Sequence, residues 1–93
     1  MIRIFRNKDT QAVFRGEFVK GIDRQIQQQA CEKFKYLDAA ADLRDLMTPP
    51  SYQLERLMGD RQGPHSIRID TQGRVCFKWK DGDAFDVEIV DYH

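Results

Sequence analysis

The sequence predicts one α+β domain in which an N-terminal strand and two helices pack on a mainly antiparallel β-sheet. Two patterns lead there. Ile26, Ala30, Phe34, Leu37 and Ala41 recur at helical spacing, so their side chains line one face of a helix that needs a partner layer. Further on, residues 66–69, 74–79 and 85–90 read as strands separated by the short segments DTQG and KDGD. Separators of that length leave no room for helical crossovers, so the late strands are expected to form an antiparallel meander. A chain of 93 residues supports one core, and residues 1–93 are read as one domain.

The elements follow in order. Ile2 and Ile4 alternate with Arg3 ahead of Phe5, the pattern of a short first strand over residues 1–6. Residues 10–18 favour a short helix whose continuity Gly16 and Gly21 weaken. Asp23 stands where its carboxylate can cap the long helix, whose solvent side is expected to carry Gln27, Gln28, Lys35 and Asp38. Leu43, Leu46 and Met47 extend the packing by a turn before Pro49 and Pro50, which lack amide donors, stop it. Residues 52–57 read as a short strand, and Gly59, Gly63 and Pro64 interrupt the segment that follows. In the meander Val75, Phe77 and Trp79 share one face and Cys76, Lys78 and Lys80 the other. Phe85, Val87 and Ile89 are likewise expected to share a face, opposite Asp86, Glu88 and Val90.

Fifteen basic and fifteen acidic side chains cancel overall, but residues 1–24 carry a net +3, 25–55 a net −2, 56–80 a net +4 and 81–93 a net −5. A basic surface beside an acidic edge suits a compact nucleic-acid-binding protein. With 41% hydrophobic and 32% charged residues, the chain reads as a soluble globule rather than a disordered or membrane chain. Its opening residues contain no apolar run of signal or membrane length. The expected location is the cytoplasm, with no membrane partner. Cys31 and Cys76 lack paired or metal-site spacing. Both are read as buried small apolar residues, and no metal or other cofactor is expected.

Arg56, Arg61, Arg68 and Arg74 are spread over strands and a loop that a meander can bring together. Guanidinium donors match phosphate oxygens and stabilise charge developing on them, although a solvated sheet edge with local salt bridges accounts for the same residues equally well. Strand alternation puts Ser66, Arg68 and Asp70 on the open face and Ile67 and Ile69 inside. Arg74 lies across the DTQG turn, where a phosphate can bridge it to Arg68; the competing reading is an ordinary Arg68–Asp70 or Arg74–Asp70 contact. His65 either meets substrate or satisfies a turn carbonyl. Ser66 has no His and Asp constellation to make it a nucleophile. Asp91, Tyr92 and His93 follow a strand directly. Tyr92 can stack on a base and His93 can exchange protons near neutral pH, if a sheet edge holds them; a frayed tail is the alternative.

The runs LERLMGDRQGPHSIRI and GRVCFKWKDGDAFDVEIVDYH, with MIRIF at the start and LDAAADLRDLMTPP between, closely resemble the HigB, or killer protein, branch of the RelE-like toxins over nearly the whole chain. The resemblance implies a RelE-like fold and the toxin of a bacterial type II toxin–antitoxin system, a ribosome-dependent messenger RNA endoribonuclease that inhibits translation. It also implies a HigA-like helix-turn-helix antitoxin as partner and operator DNA contacted through that antitoxin. Arg74 matches the arginine of the family's R-x-C-F strand, Tyr92 and His93 its terminal pair, and Arg68 the arginine of its SIR segment. These four are the expected catalytic residues, with Arg56, Arg61 and His65 as candidate RNA contacts. Met58 stands where related toxins often carry a lysine. Gly73 replaces an aromatic residue found in many relatives, so a stacking or packing ring is expected to be missing there, and His65 is expected to recover part of a stacking surface.

The implied reaction needs no metal. The RNA 2′-hydroxyl attacks the adjacent phosphate, leaving a 2′,3′-cyclic phosphate and a new 5′-hydroxyl. Arg74, assisted by Arg68, clamps the phosphate; His93 gives a proton to the leaving oxygen and Tyr92 orients the substrate. Two other readings stay open: a ParE-like toxin that inhibits DNA gyrase by protein contact, and a noncatalytic nucleic-acid- or protein-binding module.

Overall fold

A computed structural model of the chain describes residues 1–47, 54–56, 64–70 and 73–91, the side chains of Arg56 and Asp91 excepted. The order is α1 (Lys8–Phe14), α2 (Arg24–Ala39), a 3-10 turn (Leu43–Leu46), then β1 (Glu55–Arg56), β2 (Pro64–Arg68), β3 (Gly73–Lys80) and β4 (Asp83–Asp91). The four strands form one sheet in the order β1-β2-β3-β4, antiparallel throughout. This is the α+β class that the patterns predict. Among the described residues no helix is long and apolar enough to cross a membrane.

Asp23 starts α2 as its position predicts: its carboxylate accepts from the Gln25 amide at 2.8 Å and the Ile26 amide at 3.3 Å, supplying two of the donors a helix start leaves without partners. Ile26, Ala30, Phe34 and Leu37 are buried and pack with Ile67, Val75, Phe77 and Val87 of the sheet in one core. The helical face ends one residue early. Ala40 already has extended backbone, so Ala40 is buried while Ala41 is exposed. Gln27 also departs from expectation, being buried among backbone groups. Its Nε2 donates to the Val19 carbonyl at 2.6 Å and the Ile22 carbonyl at 2.7 Å, and its Oε1 accepts from the Val19 amide at 2.9 Å.

The expected N-terminal strand is present only as two isolated parallel bridges, Ile2 to Ala84 and Phe5 to Val87, along the edge of β4. The reason lies in β4. Cys76 pairs with Glu88 but Lys78 pairs with Phe85, so β4 spends three steps where β3 spends two, and Asp86 adopts a φ of 52°. This is a β-bulge, which breaks the ladder on both sides of the strand. It also moves Phe85 to the outer face beside Lys78, away from Val87, correcting the simple alternation over residues 85–90. By contrast, the β3–β4 hairpin forms as KDGD predicts. Asp81 and Gly82, at φ 52° and 81°, make a two-residue turn whose twist matches that of the strands.

Phe5 also anchors the opening segment, its ring lying 5.2 Å from that of Phe14 and 6.1 Å from that of Phe34. The Asn7 side chain caps α1 through the Thr10 amide at 2.8 Å. Thr10 in turn accepts from the Ile89 amide at 3.2 Å through its hydroxyl, tying α1 to β4 just past the bulge. At the other end of β4, Arg3 lies 3.1 Å and the N-terminal ammonium 3.4 Å from the Asp83 carboxylate. The Arg3 hydrogen bond leads in holding that carboxyl below its ordinary range; partial desolvation opposes it, and the charges of Arg3 and the ammonium add to the lowering. Cys31 and Cys76 are both half-buried, less enclosed than the sequence implies.

Candidate functional site

Antiparallel pairing aligns residues in rows on the sheet face turned away from the helices. One row runs Glu55, Ser66, Cys76, Glu88 across all four strands; the next runs Arg68, Arg74, Val90. Inward neighbours Ile67, Val75 and Phe77 are buried in the core, so alternation commits the two rows to the opposite side. Arg68 and Arg74, the arginines singled out in the sequence, therefore do share one face, as direct cross-strand partners.

Their guanidinium groups do not form a joint clamp. The Arg68 Nε donates to the backbone carbonyl of Asp70 at 3.0 Å, toward the hairpin turn. The Arg74 Nε donates to the Ser66 hydroxyl at 2.7 Å, and its Nη2 lies 3.5 Å from the Ser66 carbonyl. Ser66 and Asp70 flank Arg68 along the chain, so the two cations are pulled apart. Arg74 also meets Glu55 at 3.8 Å, with its own side chain only 15% exposed and that of Glu55 57% exposed. An ion pair with so open a carboxylate contributes little stability and leaves the carboxylate easy to displace. The face is mixed rather than uniformly basic, since Lys78 lies 3.4 Å from Asp86 and Arg6 3.7 Å from Glu88.

Asp70 serves the turn, its carboxylate accepting from the Gly73 amide at 2.8 Å. A Cβ at Gly73 would meet Ile26 at 3.4 Å and Ile69 at 3.6 Å. A side chain here would thus enter the core side, so the missing ring concerns packing and not a stacking surface beside Arg74. His65 is likewise on the inner side, 4% exposed and stacked on Phe77 with ring centroids 6.0 Å apart. This corrects its place among the candidate RNA contacts: pairing with Phe77 fixes its ring opposite the arginine face. Arg56 is the backbone partner of His65. The Arg56 side chain, Met58, Arg61, Tyr92 and His93 lie outside the described residues. The described chain comes to Asp91, the partner of Gly73, with Val90 opposite Arg74.

Comparison with known proteins decides the family. The model of the RelE-like toxin of the type II toxin–antitoxin system HigB matches residues 3–93. The chain belongs to this HigB-like toxin family. It is 29% identical over 93 residues, the full length of both chains, to a Proteus vulgaris protein named Endoribonuclease HigB. It is also 40% identical over 63 residues to Toxin HigB-1 of Vibrio cholerae serotype O1, covering 68% of this chain and 66% of the relative. As a HigB-like toxin of a type II system, the chain has a toxin–antitoxin partner. Composition and motif reasoning passed over Glu55 and weighed Ser66 only as a nucleophile, so neither was read as a contact of Arg74. The signal for them was register: once the DTQG turn sets Arg74 opposite Arg68, Ser66 becomes the diagonal neighbour of Arg74, and Glu55 is the partner of Ser66.

Proposed function

We propose that this toxin is a metal-independent endoribonuclease that cuts messenger RNA on the ribosome and thereby inhibits translation. The observation that carries the reading is Arg74, held at the head of β3 on the face away from the helices, one step from the point where β4 reaches Asp91. Full-length similarity to a relative named as an endoribonuclease supports it. In this reading the 2′-hydroxyl of the RNA gives up its proton to solvent and attacks the adjacent phosphate, the P–O5′ bond breaks, and Arg74 neutralises the charge that builds on the phosphate oxygens. The Glu55 carboxylate, 3.8 Å from that guanidinium, gives way to the phosphate. His93 donates a proton to the departing 5′-oxygen and Tyr92 orients the substrate. Arg68 joins by leaving the Asp70 carbonyl, and Arg56 and Arg61 extend the contact with RNA. Because the nucleophile belongs to the substrate, the chemistry asks for no metal. The toxin acts in the cytoplasm as a single domain over residues 1–93, neutralised by a HigA-like helix-turn-helix antitoxin through which it reaches operator DNA.

The test is cleavage of a translated messenger on intact ribosomes by wild type, Arg74→Ala and His93→Ala, each checked for folding. Cleavage by wild type alone, giving 2′,3′-cyclic phosphate ends and little cutting of isolated RNA, is expected. Binding without cleavage would turn the case to a noncatalytic module, and inhibition of DNA gyrase to a ParE-like toxin.

A further inference from the structure

We infer that Ser66 is a positioning residue for Arg74, setting the plane of its guanidinium for the scissile phosphate; the inference rests on Arg74 acting on RNA as proposed above. An arginine side chain is long and samples many rotamers, and fixing it is entropically costly. Its direct cross-strand neighbour is Arg68, a like charge that favours splaying. Something must therefore hold Arg74 in one orientation, and Ser66 is built for it. Its residue is fully buried at 0% exposure, inside a strand paired on both sides. It meets the guanidinium twice, through Oγ on Nε at 2.7 Å and through its carbonyl near Nη2 at 3.5 Å. Two contacts from one rigid residue restrain rotation about the last torsions of the arginine.

The chemistry of the acceptor matters as much as its place. A hydroxyl orients the cation without neutralising it, so the positive charge remains for the phosphate. Glu55, at 3.8 Å and largely exposed, supplies the neutralising charge at rest and is displaceable. Ser66 is not, since it belongs to the sheet itself. Ser66 forms no bond to substrate; it fixes in advance a donor geometry that the transition state uses.

The experiment compares Ser66→Ala, Ser66→Thr, Arg74→Ala and the Ser66→Ala/Arg74→Ala double variant in the ribosome cleavage assay under single-turnover conditions. A hydrogen bond to a charged group of ordinary strength corresponds to a loss in kcat of roughly ten- to a hundredfold for Ser66→Ala. KM should change little and Ser66→Thr should recover most of the rate. In the Arg74→Ala background Ser66→Ala should add nothing. The Nε–H signal of Arg74 in a proton–nitrogen spectrum should lose its protection in Ser66→Ala alone. Should alanine unfold the domain, Ser66→Cys, of similar volume but a weak acceptor, takes its place. The inference is overturned if Ser66→Ala cleaves like wild type while Arg74→Ala is inactive. Equal losses from Ser66→Ala in both backgrounds would also overturn it, since they mark a purely structural role. Wild-type cleavage by Arg74→Ala would instead sink the reading beneath it, and this inference too.

Discussion

Arg68 and Arg74 are Cα partners across the β2–β3 ladder, yet their side chains are tied in opposite directions, Arg68 to the Asp70 carbonyl at 3.0 Å and Arg74 to the Ser66 hydroxyl at 2.7 Å. Like charges placed directly opposite repel, and each finds an uncharged acceptor that draws it away from the other. The pair is thus arranged for unequal roles in phosphate binding.

Unequal roles predict unequal kinetics. With Arg74 as the phosphate ligand, Arg74→Ala should lower kcat by at least about a hundredfold. Arg68→Ala should cost only about tenfold, much of it in KM, because Arg68 must first give up the Asp70 carbonyl. Ribosome cleavage kinetics with both variants check this, and equal losses would count against the assignment.

Gln27 predicts a stability defect with no catalytic signature. Gln27→Leu keeps the volume roughly but leaves the Val19 amide, the Val19 carbonyl and the Ile22 carbonyl without their partner. Buried groups stripped of a hydrogen bond each cost about 1–3 kcal/mol; allowing for partial solvation, the loss should be about 2–4 kcal/mol. Urea unfolding with an unchanged m-value measures it.

The bulge at Asp86 predicts a residue preference. At φ 52° a β-branched side chain is strained, so Asp86→Val should destabilise by about 1–2 kcal/mol. Asp86→Gly should stay within about 1 kcal/mol of wild type, relief of strain offsetting lost chain stiffness and the exposed Lys78 contact. Thermal unfolding of both variants separates backbone strain from loss of charge, since each removes the carboxylate.

Asp83 predicts a pH effect whose sign is set by its lowered carboxyl pKa. A carboxyl that ionises more readily folded than unfolded stabilises the fold above its ordinary value of 3.8, and loses that contribution as pH falls through the lower folded value. The stability difference between wild type and Asp83→Asn should therefore be constant at neutral pH and shrink below about pH 4. Added salt should narrow it at every pH, because the Arg3 and N-terminal partners are solvent-facing. Paired denaturation curves at several pH values test it.

Much of the fold is legible in particular residues. Asp23 before a helical period and KDGD between two apolar alternations each act locally, and local chemistry is what a sequence displays. Phe85 and Gln27 were not legible in this way. Phe85 changes face because a bulge at Asp86 absorbs one step of β4, and nothing in DAFDVEIV marks where the extra residue falls. Gln27 resembles the glutamines beside it, and only the path of residues 19–22 over α2 makes it a buried partner. The arginines were legible as types and Arg74 as a motif match, whereas their separate tethers depend on strand register.

The succession from helices to a late meander, the capped helix, the tight hairpin and the family motifs were determined by the sequence alone, because each depends on neighbours a few residues away. The burial of His65 behind the sheet, the splaying of Arg68 from Arg74 and the hold of Ser66 on Arg74 were decided only by tertiary structure. Those three relationships cross between strands, and a shift of one residue in pairing would turn every side chain involved to the other face.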